Sequence, residues 1–128
     1  VGHYTDTVSG AAVLVVDDDA PIRRMLERTL AAEGYEVRSA VDGGDALAAV
    51  EREVPDVVVL DVAMPGVDGL SVIREARRLK ADLPVIIITG FSNEASAIEA
   101  VNLGVSGYLT KPFRVPRVLA AAAKALGE

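Results

Sequence analysis

Four short aliphatic runs in this sequence each lead into side chains capable of chemistry. "AVLVV" (12–16) is followed by Asp17, Asp18 and Asp19, and "VVVL" (57–60) by Asp61; "VIIIT" (85–89) ends on Thr89, and "GYLT" (107–110) precedes Lys111 and Pro112. If Asp18 and Asp61 come to lie roughly 4 to 5 Å apart, they repel by about 3 to 4 kcal/mol at an effective dielectric constant of 20. Such a pair needs a positive charge between its members, or one of them protonates. A hard divalent cation with oxygen ligands, Mg2+ above all, meets that need and keeps waters that a phosphate can displace. Lys111 brings a second positive charge.

These residues meet only if the aliphatic runs lie side by side. Together with "EVRSA" (36–40) the runs make five short segments, mostly β-branched or aliphatic, with longer stretches of helical spacing between them. The clearest helix begins at Pro21, places Ile22, Met25, Leu26, Thr29 and Leu30 on one face, turns Arg23, Arg24, Glu27 and Arg28 to water, and ends at Gly34. Residues 44–53, 70–80, 94–104 and 115–126 read as four more. Five strands alternating with five helices predict an α/β fold, a doubly wound parallel sheet covered on both faces, because parallel strands need crossover connections. In such sheets ligands sit beyond the carboxyl ends of the strands. Acid, acid, hydroxyl and ammonium then converge on one edge.

Bulk properties narrow the function classes. With 128 residues, about half of them hydrophobic, the chain suits one domain with a real core. Its formal charge of −6 gives no basic field, so neither nucleic acid nor a membrane is an expected direct partner. The absence of cysteine excludes disulfides, Cys-based zinc sites and thiol nucleophiles. No apolar run is long enough to cross a bilayer, and "VGHYTDTVSG" (1–10) has no signal-peptide character, which makes a cytoplasmic location the expectation. Residues 1–10 read as a disordered or linker segment and 11–128 as the domain, a module that could belong to a longer protein; His3, in the polar tail, receives no role.

Taken in order, "VLVVDDD", "DVVVLDVAMPGVDGL", "PVIIITG" and "GYLTKPF" resemble the receiver domain of bacterial two-component response regulators over about residues 12 to 126. The resemblance implies a flavodoxin-like, chemotaxis-receiver-like sheet of strand order 2-1-3-4-5. It implies a phosphorylation-activated switch rather than an enzyme acting on other substrates. Asp61 matches the phosphoacceptor, Asp18, Asp61 and the carbonyl of Ala63 match the Mg2+ ligands, and Asp17 matches the acid holding metal-bound water. Lys111 matches the phosphoryl-contacting lysine, with a following proline whose preceding bond is usually cis. Thr89 and Tyr108 match the pair that senses the modification and biases a surface of the fourth helix, fifth strand and fifth helix. The implied partners are a sensor histidine kinase or phosphotransfer protein, an output domain outside the chain, and a second copy in a phosphorylation-dependent homodimer. Arg23 and its neighbours match kinase-contacting positions.

Taken singly, each residue has a plainer use: Asp19 caps a helix, Asp61 can form an Asx turn, Thr89 suits a strand end, Lys111 suits solvent and Tyr108 suits packing. Their coincidence in order is what overrides those uses. Two features depart from the family pattern. Ala63 puts no side chain near an attacking water, and Gly90 stands where alanine is more common, leaving the pocket more open. A phosphatase of the haloacid-dehalogenase type would need a second acid where Ala63 stands. A receiver fold acting only as a scaffold would normally lack an acid or the lysine.

Overall fold

The computed structural model describes residues 10–62, 69–90 and 102–127. Strands β1 (Ala12–Val16), β2 (Glu36–Ala40), β3 (Val57–Asp61), β4 (Val85–Thr89) and β5 (Gly107–Thr110) form one parallel sheet in the order β2-β1-β3-β4-β5. Helices α1 (Ala20–Ala32), α2 (Gly43–Arg52), α3 (Gly69–Leu79) and α4 (Val115–Ala125) accompany it. The predicted helix over 94–104 falls almost wholly outside the described residues, as do His3 and Ala63.

The doubly wound arrangement follows from which side chains each strand offers to each face. Val13, Val15, Val57, Val59, Ile86, Ile88 and Leu109 form a core with Leu26 and Leu30 of α1 and Val118 and Ala122 of α4. Leu14, Val16, Val58, Leu60, Val85 and Ile87 form the other, with Ala46, Ala49 and Val50 of α2 and Val72, Ile73 and Ala76 of α3. Alternation along each strand feeds both cores, so β3 and β4 are buried along their whole length. Each fully buried Val or Ile contributes about 1.5–3 kcal/mol.

Local signals fix the element ends. The Asp19 carboxylate accepts a hydrogen bond from the Ile22 N–H at 3.3 Å, with Pro21 in the first turn of α1, and Asp42 accepts from Asp45 N–H at 2.8 Å to start α2. Gly34 takes φ +97° after α1, a conformation that side chains disfavour. At Gly69 space is the constraint: a Cβ there would lie 2.6 Å from Val62 Cα, so only glycine lets α3 begin this close to the end of β3.

Two expectations need correction. Asp61 lies inside β3 and pairs with Ile88, and the next N–H, from Val62, still donates to the Ile88 carbonyl, so the ladder continues through the carboxylate. Arg23 does not face water. Its side chain is 16% exposed and folds back onto the loop after β1.

Candidate functional site

Strand alternation explains why distant residues meet. Asp17 continues the row Val13–Val15, Asp61 continues Val57–Val59, and Lys111 continues from Leu109, all rows of the same core. With Asp61 the last residue of β3 and Asp17 and Lys111 just past the carboxyl ends of β1 and β5, the three arrive at one edge. Lys111 Nζ lies 3.0 Å from Asp61 Oδ2 and 3.4 Å from Asp17 Oδ2. Carboxylate oxygens of Asp17, Asp18 and Asp61 all come within 4.8 Å of one another. Asp17 is 1% exposed and Asp61 4%, whereas Asp18 is open to solvent.

Three carboxylates so close repel by about 3.5 kcal/mol per pair at an effective dielectric constant of 20. Lys111 offers one compensating charge for three. Burial raises the Asp17 carboxyl above its ordinary value; the Asp61 charge adds to this, while the Asp19 N–H and Lys111 work against it. Burial also opposes the Lys111 ammonium, but its hydrogen bond to Asp61 and the charges of Asp17 and Asp61 outweigh burial and raise its pKa. The donor set is all oxygen, the charge is net negative, and one member faces solvent, which fits a hard divalent cation such as Mg2+.

The loop carrying Asp17 and Asp18 is held at several points. Asp17 N–H donates to the Ala40 carbonyl at 3.2 Å and Asp19 N–H donates to Asp17 Oδ1 at 2.9 Å. Arg23 Nη1 donates to the Asp17 carbonyl at 2.9 Å, a role that the helical pattern missed. Its one sequence signal is position: a long cation in the first turn after a strand-end acid.

Thr89 and Tyr108 belong to the opposite row. Thr89 follows Val85 and Ile87 along β4, Ile87 pairs with Tyr108, and Tyr108 packs against that core with its Oη buried and without a hydrogen-bond partner among the described residues. Thr89 is 2% exposed, and its carbonyl accepts from Lys111 N–H at 2.8 Å, linking the hydroxyl-bearing residue to the ammonium-bearing one through the backbone. The Lys111–Pro112 peptide bond is cis. The structure thus brings Asp17, Asp18, Asp61 and Lys111 together and sets Thr89 and Tyr108 on adjoining strands, while Ala63 lies outside the described residues.

The chain is similar to known proteins over most of its length. Residues 13–123 match the family described as the response regulator receiver domain. The crystal structure of the Brucella abortus NtrX receiver domain shares 37% identity at a TM-score of 0.83, covering 89% of this chain and 97% of that one. Chemotaxis protein CheY4 of Vibrio cholerae shares 34% identity at a TM-score of 0.86, covering 91% and 99%. A longer Brucella abortus NtrX structure shares 37% identity at a TM-score of 0.85, covering 91% of this chain, which spans 27% of that one. Among the described residues no helix is long and apolar enough to cross a membrane.

Proposed function

The chain belongs to the response regulator receiver domain family, and from that premise we propose that it is a signalling switch accepting a phosphoryl group on Asp61 from a partner histidine kinase or phosphotransfer protein. The observation that carries this reading is the meeting of three strand-end carboxylates within 4.8 Å with an ammonium 3.0 Å from Asp61. We assign residues 11–128 to the receiver and 1–10 to a linker.

In the transfer, a carboxylate oxygen of Asp61 attacks the phosphorus in line, the phosphorus–nitrogen bond to the donor histidine breaks, and the imidazole leaves with its electron pair and takes up a proton. Anchoring in β3 holds the attacking oxygen in place, since positioning supplies much of the rate in such reactions. Lys111, already beside Asp61, offsets charge on the transferring oxygens. Asp17, Asp18, Asp61 and the Ala63 carbonyl would hold Mg2+, which when bound supplies further charge neutralisation. The domain catalyses its own phosphorylation and dephosphorylation and acts on no other substrate.

Phosphorylation replaces a carboxylate with a dianionic group. The Thr89 hydroxyl then donates to it, Tyr108 moves with it, and the face made by the fourth predicted helix, β5 and the last helix shifts between two states. The buried Tyr108 Oη without a partner among the described residues supports this, since such a group gains by rearranging. The shifted face controls an output domain, another partner or a second copy of the chain, in the cytoplasm.

Intact mass after incubation with acetyl phosphate and Mg2+ tests the assignment. One phosphoryl adduct on the wild type and none on Asp61→Ala is expected. An adduct on both, or on neither, refutes it. Turnover of a phosphorylated metabolite without kinase would instead favour a phosphatase.

A further inference from the structure

Arg23 is the one cation of α1 that the helical pattern assigns to solvent and the fold withdraws from it. Arg24 and Arg28 are exposed, whereas the Arg23 side chain is 16% exposed, with Nη1 2.9 Å from the Asp17 carbonyl and Nε 3.8 Å from Glu27 Oε1. A strand-end carbonyl buried beside an acidic loop needs a donor, and Arg23 supplies it from the next element. The Asp17 backbone is thereby gripped on both sides, its N–H by the Ala40 carbonyl of β2 and its C=O by α1. Asp19 N–H fixes one Asp17 carboxylate oxygen as well. Asp18, the exposed member of the cluster, sits between two tethered residues.

We propose that Arg23 is a positioning residue that makes the acidic loop rigid and so sets the site's preference for a small cation over a large one. The inference rests on the reading that the acidic cluster holds Mg2+. Mg2+ demands nearly ideal octahedral geometry at about 2.0–2.1 Å, whereas Ca2+ accepts six to eight oxygens at about 2.3–2.6 Å in flexible arrangements. A loop held at the Asp17 carbonyl can keep the tighter geometry, and a released loop still satisfies the looser one. The contact runs through the backbone: Arg23 donates to the Asp17 carbonyl, while Lys111 is the cation hydrogen-bonded to the Asp17 carboxylate. Lysine at this position keeps the charge but loses the planar fork that reaches carbonyl and carboxylate together.

The test titrates the full chain with Mg2+ and, separately, Ca2+ by calorimetry in wild type, Arg23→Lys and Arg23→Met, with urea unfolding of each. Supporting groups around a metal ligand typically govern about 10- to 100-fold in affinity. Arg23→Met is expected to weaken Mg2+ by about tenfold and Ca2+ by less than about threefold, with Arg23→Lys in between and still folded if the Met variant is not. Equal weakening of both ions, or Mg2+ binding unaltered in either variant, overturns the inference. A wild type that binds Mg2+ no better than Asp18→Asn overturns the underlying metal assignment instead.

Discussion

Asp17→Asn should make the metal-free protein more stable while weakening the site. Within 4.8 Å, Asp61 repels Asp17 by at least about 3.5 kcal/mol, and Lys111 at 3.4 Å attracts it by about 4.9 kcal/mol, both at an effective dielectric constant of 20. Asp18 adds repulsion that its exposure largely screens. These charge terms nearly cancel. What remains is the burial of a carboxylate only 1% exposed, an effective penalty of several kcal/mol per ion that the Asp19 N–H partly offsets and that an amide largely avoids. The expected gain is about 2 kcal/mol at pH 7 in EDTA, or about 1 M in the urea midpoint at a slope near 2 kcal/mol/M. The pH dependence has a definite sign. Asp17 is raised above 3.8 in the fold, so the folded state binds the proton more tightly than the unfolded chain. Wild-type stability relative to the variant is then lost as pH rises from 3.8 through the folded pKa, and the gap closes below 3.8. Saturating Mg2+ should stabilise the wild type by mass action and narrow the gap from the other side. A variant less stable than wild type in EDTA at pH 7 would refute the reasoning.

Three further variants have expected outcomes. Lys111→Met removes the cation 3.0 Å from Asp61 and should lower stability by about 2 kcal/mol in EDTA, with Mg2+ restoring much of the loss by chemical denaturation. The raised pKa of Lys111 means that its pairing is fully present below 10.5 and fades as pH climbs through the folded value, so the same variant should flatten the alkaline fall in stability. Gly69→Ala puts a Cβ 2.6 Å from Val62 Cα, and calorimetric unfolding should show a loss of about 1–3 kcal/mol. Asp19→Ala removes the cap on Ile22 N–H and should cost about 1 kcal/mol in urea while leaving the phosphoryl adduct intact.

The sheet was legible because its signals are local. Ala12–Val16, Glu36–Ala40, Val85–Thr89 and Gly107–Thr110 coincide with the aliphatic runs, and the helices described in full start and stop within two residues of their expected ends. Asp61 was placed after its strand because a charge normally ends an aliphatic run; its pairing with Ile88 is a property of the neighbouring strand and leaves no mark beside it. The convergence of Asp17, Asp18, Asp61 and Lys111 was readable from their places at the carboxyl ends of the predicted parallel strands. Arg23 was not: periodicity assigns a helical face, but a side chain this long can leave that face for a carbonyl whose position depends on the path of a loop.

The ammonium of the site comes late in the chain, 94 residues after Asp17 and 50 after Asp61. An emerging polypeptide would therefore display its acids well before the lysine that balances them. The acidic cluster would gain its balancing cation only when the last strand has docked beside β4.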